Sequence, residues 1–338
     1  MTPDHPRLAL FEPEERTFSA LPACDHYSGV EPRMRKSLAL QAELGPVFDV
    51  TLDGEDGAPV GGEVEHAQLT AELVNSAANR WGRVGARVQP VEHRRFDEVV
   101  DLLVQQAGAR LAYLVIPKLR GAAELQRATD KIDAACRRHG LARAIPLHAL
   151  VETHGALREV QALAAHPRVE SLSFGLMDFV SAHGGAIPAE AMSATGQFEH
   201  PLVLRAKLEI AAACHGHAKT PSHCVVTEFS DTAALKAAAT QACRRLGYTR
   251  MWSIHPAQIR PIVEAFAPSA DELALAIDLI GAAQAAHWAP IRHRHGGQDR
   301  LHDRASYRYY WQLIERAERS AAAGGPALPP ALRAAWFG

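Results

Sequence analysis

The chain has 338 residues, 47% of them hydrophobic and 22% charged, with 36 Lys and Arg against 38 Asp and Glu. That composition excludes a disordered, collagen-like or coiled-coil chain and allows one large buried core. The net charge of −2 lacks the basic excess of a nucleic-acid binder, so no nucleic-acid partner is expected.

Short β-type runs alternate with amphipathic helical stretches along the chain. The expected strands are 17–22 (TFSALP), 47–53 (VFDVTLD), 83–89 (RVGARVQ), 111–117 (LAYLVIP), 144–152 (AIPLHALVE), 169–174 (VESLSF), 223–228 (HCVVTE) and 250–254 (RMWSI). Several are near-continuous apolar runs, as parallel strands covered on both faces require. Phe96, Val99, Val100, Leu103 and Val104 form one helical stripe. A helix from Ala122 closes on Arg137, Arg138 and Gly140. Ser230 or Asp231 opens a helix that stops at Gly247, and Ser269 with Glu272 makes a capping box before the next. Eight strands alternating with helices over roughly 250 residues predict a (β/α)8 TIM barrel, an α/β fold, with a doubly wound sheet as the competing architecture. The barrel is expected over residues 1–286, with 1–15 as an extension. Residues 287–338 change character: IRHRHGGQDRLHDRASYRYYW is basic, Gly-interrupted and aromatic, and reads as an arm or lid followed by a terminal helix.

Five scattered cysteines form no C-x-x-C pair, which argues against a disulfide framework or zinc ribbon. No apolar run is long enough to span a membrane. The first eighteen residues carry prolines and acids where a signal peptide needs a basic start and an apolar stretch. A cytoplasmic protein without a membrane partner is expected.

In a parallel barrel the active site lies at the carboxyl ends of the strands. Polar residues end several apolar runs: Asp53, Glu55 and Asp56 after the second, Arg87 on the third, Lys118 after the fourth, Glu152 after the fifth, Asp178 after the sixth and His255 after the eighth. Carboxylates gathered on one rim repel unless a cation sits among them. Oxygen donors without Cys favour a hard ion such as Mg2+, which takes one or two protein carboxylates. Each residue also has a plainer reading. A carboxylate after a strand can simply cap the next helix, Arg87 can be an ion-pair partner of Asp53 or Asp56, and His255-Pro256 can be a helix start. Eighteen histidines include His148 and His154, which flank Glu152.

In their order these blocks resemble the HpcH/HpaI aldolase–citrate lyase beta-subunit family. RTFSALP (16–22) is similar to its opening R-S-x-L-F-V-P, Asp53-Gly-Glu55-Asp56 to its D-L-E-D and Arg87-Val-Gln to its R-[VI]-N. Pro117-Lys118, Glu152-Thr153, Phe174-Gly175-x-x-Asp178 and Ile254-His-Pro-Ala-Gln258 match later blocks, over roughly residues 16–320 in all. The resemblance implies a Mg2+-dependent carbon–carbon lyase acting on malyl-, citramalyl- or citryl-type CoA thioesters, with an acyl-CoA and a 2-oxo acid as products. It implies Glu152 and Asp178 as metal ligands and Arg87, Glu55, Asp56 and Asp303 as catalytic groups. Arg16, Arg87, Lys118, Gly175 and Met177 would bind substrate. Asp303 resembles the acid of a C-terminal lid that reaches a neighbouring subunit, so a homo-oligomer, trimer or hexamer, is expected. Alternatives are a metal-dependent aldolase on free pyruvate-type acids and a non-catalytic CoA- or organic-acid-binding barrel. Gly54 and Gln89 depart from the family pattern, and GGEVEHAQ (61–68) lacks the bases common there.

Overall fold

A computed structural model of the chain describes residues 5–12 and 21–338. Eight parallel strands close into a barrel in sequential order: β1 (Cys24–Ser28), β2 (Phe48–Asp53), β3 (Val84–Arg87), β4 (Leu114–Ile116), β5 (Leu147–Val151), β6 (Val169–Phe174), β7 (Thr220–His223) and β8 (Arg250–Ser253). β1 pairs with both β2 and β8, which closes the ring. The predicted TIM barrel is therefore the fold.

Two strands differ from the sequence expectation. Residues 17–20 of the first expected strand lie outside the described residues, and Leu21 and Pro22 are not strand; β1 is CDHYS instead. It was hidden because Asp25 and Tyr27 are polar yet fully or almost fully buried. β7 is TPSH rather than HCVVTE. A proline in a run argues against a central strand because it cannot donate to the ladder. Here Pro221 sits in register with Leu172 and accepts from Thr249 N instead.

Helices form where the stripe and caps place them. Phe96–Ala107 buries Phe96, Val99, Val100, Leu103 and Val104. Thr232–Leu246 starts at Asp231, whose side chain accepts from Ala234 N, and ends at the left-handed Gly247. Ser269 and Glu272 form the capping box of Ala270–Ala285.

The chain divides into two compact units, one of residues from 18 to 262 and one combining the N-terminal segment with 263–338. Helix Ala270–Ala285 thus groups with the C-terminal region, and the division falls before it rather than at 286/287. In that second unit, Leu279, Ile280, Tyr307, Trp311 and Ile314 pack into one core. The basic stretch forms an antiparallel hairpin, β9 (Ile291–His295) and β10 (Gln298–His302). Gly296 and Gly297 both have positive φ, the geometry of a two-residue hairpin turn.

Inside the barrel, Tyr27, Tyr113, Val115, Leu150 and Trp252 form one packed cluster. In the N-terminal half of the strands lies a buried ionic group. Arg250 meets Asp49 at 2.6 Å and Asp25 at 3.0 Å, with all three side chains fully buried.

Candidate active site

The carboxyl ends of β2 to β6 bring five carboxylates and two cations together. Asp53 ends β2 and Arg87 ends β3, directly opposite in register. The guanidinium donates to both oxygens of Asp53, Nε to Oδ1 at 2.7 Å and Nη2 to Oδ2 at 2.5 Å. Nη1 faces Glu55 Oε2 at 3.1 Å. A guanidinium has five N–H donors, so two remain without a partner among the described residues. Behind it lie Tyr27 and Trp252, stacked on one another at 4.4 Å, with the Arg87 carbon 5.5 and 6.0 Å from their ring centres. Burial opposes the charge, but hydrogen bonding and attraction from Asp53 outweigh it and push the Arg87 pKa up. The arginine stays charged.

Asp53 also shapes the loop that follows. Its two oxygens accept from Glu55 N and Gly57 N, each at 3.0 Å. A Cβ on Gly57 would lie 2.4 Å from Asp53 Oδ2, so only glycine lets this turn close. The turn carries Glu55 inward and leaves Asp56 exposed. Burial raises the Glu55 carboxyl despite Arg87 and Lys118. At Asp56 burial acts the same way, but hydrogen bonds with Lys118 and Glu55 outweigh it and hold the carboxyl low.

Lys118 follows β4 with a φ of 51°, a left-handed backbone in a non-glycine residue. That conformation turns its backbone N–H onto Glu152 Oε1 at 2.5 Å. Its ammonium lies 2.5 Å from Glu55, 2.9 Å from Asp56 and 3.9 Å from Asp178.

Glu152 follows β5 and is 2% exposed. It does not cap the next helix; Thr153 does, accepting from Ala156 N, and this leaves the glutamate free for the rim. Burial, with a further push from Asp178, drives its carboxyl up to about 8, against the hydrogen bond from Lys118 N. Gly175 makes room for it, since a Cβ there would sit 2.2 Å from Glu152 Oε2. Asp178 is the third residue of the short helix Leu176–Ser181 after β6, half exposed, beside Met177.

This donor set fits a hard divalent cation. Among the described residues the five carboxylates face Arg87 and Lys118, and burial raises the Glu152 carboxyl. No group of three His, Cys, Asp or Glu suited to a metal exists among the described residues. Mg2+ needs only one or two protein carboxylates, so Glu152 and Asp178 would suffice to hold it.

The HpcH/HpaI aldolase/citrate lyase family model matches residues 37–256. The chain belongs to this family. An L-malyl-CoA/beta-methylmalyl-CoA lyase of Cereibacter sphaeroides is 28% identical over 274 residues, 75% of this chain and 83% of that protein. A citrate lyase crystal structure from Burkholderia xenovorans LB400 is 50% identical with a TM-score of 0.84, covering 99% of this chain and all of the other. The barrel is shared with CitE of Mycobacterium tuberculosis, solved with magnesium, acetoacetate and coenzyme A, at 19% identity and TM-score 0.67 over 88% of this chain and 98% of that one.

Of the residues singled out by family resemblance, Glu55, Asp56, Arg87, Lys118, Glu152, Gly175, Met177 and Asp178 all stand at the ends of β2 to β6. Arg16 lies outside the described residues. Asp303 belongs to the C-terminal unit, where its Oδ1 caps helix Arg304–Ser320 by accepting from Ala305 N and Ser306 N. His255 takes the plainer reading, capping Pro256–Gln258 with Gln258. His148 lies inside the barrel, its ring 3.8 Å from that of Tyr113. Sequence reasoning missed the Tyr27–Trp252 pair behind Arg87. Trp252 lay in an expected strand, but Tyr27 lay in the strand that was hidden.

Proposed function

We propose that this chain is a Mg2+-dependent carbon–carbon lyase that cleaves or forms a β-hydroxyacyl-CoA thioester of malyl, citramalyl or citryl type. The observation that carries the reading is the charge imbalance around Glu152 and Asp178, next to an arginine with two N–H donors to spare. The names of its relatives, malyl-CoA lyase and citrate lyase, support the reaction class.

Glu152 and Asp178 would hold the magnesium, which when bound supplies Lewis-acid polarisation of the 2-oxo acid's oxygens. In the cleavage direction a base removes the β-hydroxyl proton, the Cα–Cβ bond breaks, and its electron pair moves onto the thioester as an enolate. A proton then returns to the α-carbon, leaving an acyl-CoA and a 2-oxo acid. Arg87, held flat by Asp53 and permanently charged, directs its two remaining N–H groups at the developing oxygen charge. Glu55, whose carboxyl burial raises, is placed to hold a proton beside Arg87, with Asp56 keeping Lys118 in place. Lys118, Arg16 and the backbone at Gly175 and Met177 contact substrate oxygens. Asp303 is the base, supplied by a neighbouring subunit of a homo-oligomer; its cap contacts use only Oδ1.

The deciding experiment is a product assay with and without Mg2+ on malyl-, citramalyl- and citryl-CoA. Turnover of a CoA thioester, lost with Asp178→Asn and Glu152→Gln together with Mg2+ binding, is expected. Turnover of free 2-oxo acids alone, or stabilisation by CoA without turnover, would replace the reading. The subunit assignment is tested by mixing dissociated Glu152→Gln and Asp303→Ala proteins and reassembling them. Shared sites recover roughly a quarter of the activity from random pairing; sites built from one chain recover none.

A further inference from the structure

Lys118 touches every rim carboxylate except Asp53. Its ammonium reaches Glu55, Asp56 and Asp178, and its backbone N–H holds Glu152. No other residue of the site, among those described, joins the two carboxylates assigned to the metal with the Glu55–Asp56 pair. The junction depends on an unusual backbone: with φ at 51°, a lysine pays strain of order 1 kcal/mol or more that a glycine would not. Such strain persists when the neighbours over-determine it, and here both ends of the residue are pinned. Among the described residues the ammonium is the one cation within ion-pair distance of Asp178, at 3.9 Å, and it sits within hydrogen-bond distance of Glu55 and Asp56.

We propose that Lys118 is a positioning residue that competes with the divalent cation for Asp178, weakening metal binding while holding Glu55 in place for the reaction. The inference rests on the metal reading above and goes beyond contact with substrate. A unit charge a few ångströms from a divalent ion, partly open to water, disfavours binding by about tenfold. The ammonium therefore trades cation affinity for order in the acid pair. Metal affinity and turnover should then move in opposite directions when it is removed, which a merely structural lysine would not produce.

The test is a calorimetric Mg2+ titration of the full chain, with Mn2+ followed by electron paramagnetic resonance as a second probe. Lys118→Met is expected to bind either ion about tenfold more tightly and to lose kcat. Lys118→Gly should show the same tightening with a higher Tm than the Met variant, because it also releases the left-handed backbone. Lys118→Arg keeps the charge and should return the affinity to near the wild-type value. Unchanged or weaker metal binding in Lys118→Met, with Asp178→Asn still abolishing it, overturns the inference and leaves the metal site standing. Metal binding indifferent to both Asp178→Asn and Glu152→Gln overturns the metal reading and this inference with it.

Discussion

One barrel carries two groups of charged side chains built from the same residue types. In the N-terminal half of the strands, Asp25 and Asp49 share the buried Arg250, and Arg83 donates to Asp49 at 2.6 Å. Thr51 and Tyr113 donate further hydrogen bonds to Asp25. Two carboxylates thus face two cations. At the carboxyl ends, among the described residues, five carboxylates face two cations, with Glu152 buried and Asp178 half exposed. The balanced group matches each buried carboxylate with a cation, which is what keeps a buried charge from being stranded. The unbalanced one keeps charge available for something that binds. Asp49 and Glu152 make the same contrast. At Asp49 burial favours the neutral acid, but Arg250 and Arg83 outweigh it and hold the carboxyl low; at Glu152 burial wins.

The largest effect should come from breaking the balanced group. Arg250→Met leaves Asp25 and Asp49 buried without their shared cation and is expected to cost about 3–5 kcal/mol in urea unfolding. Mg2+ affinity should not change in whatever fraction stays folded. A loss under about 1 kcal/mol would mean that the interior group adds little to stability.

At the rim, Arg87→Lys should cost catalysis rather than folding. Lysine cannot copy the two-oxygen grip on Asp53 while offering two further donors. A loss of about 2–4 kcal/mol in kcat/KM is expected, measured on the CoA thioester that the wild type turns over best. Near-full activity would reduce Arg87 to an ion-pair partner of Asp53.

The two groups should also impose opposite pH dependence. Asp49, with its folded pKa depressed, stabilises the fold above the usual carboxylate range, and that contribution is lost as pH falls through its folded value. Glu152 has a folded pKa near 8, above its unfolded value of about 4.3. Between those values the folded state holds more protons than the unfolded one, so stability falls as pH rises. Thermal unfolding without added metal should therefore show Tm decreasing from pH 5 to pH 8, and Glu152→Gln should flatten that slope. An unchanged slope in the variant would show that Glu152 ionises freely.

The smallest effect concerns Asp303. As the cap of Arg304–Ser320 it should contribute about 1 kcal/mol, lost in Asp303→Ala and largely kept in Asp303→Asn. If Asn also keeps activity, the residue acts only as a cap; if Asn keeps the stability and loses turnover, its carboxylate has a chemical task as well.

Much of the barrel was legible in the sequence because its strands are apolar and its helices capped. The run 169–174 coincides with β6, the stripe from Phe96 is buried as expected, and the Ser269–Glu272 box forms. β1 and β7 escaped because their burial depends on partners far away in the chain. Asp25 can be buried only where Arg250, Thr51 and Tyr113 come to meet it. At the rim, the carboxylates and Arg87 were visible as polar ends of apolar runs. The left-handed turn at Lys118 and the ring pair behind Arg87 left no local signal.

By itself, the sequence determined the alternation of strand and helix, the rim residues and the family to which their order points, since periodicity, caps and motif order are properties of neighbours along the chain. Only the tertiary structure decided which charges are balanced. Asp53 takes Arg87, Thr153 takes the cap and frees Glu152, and Lys118 reaches three side-chain carboxylates, because closing the barrel sets side by side strand ends that are tens of residues apart. The contrast between Asp49 and Glu152 then follows from burial and from the cations within reach, which no stretch of sequence contains.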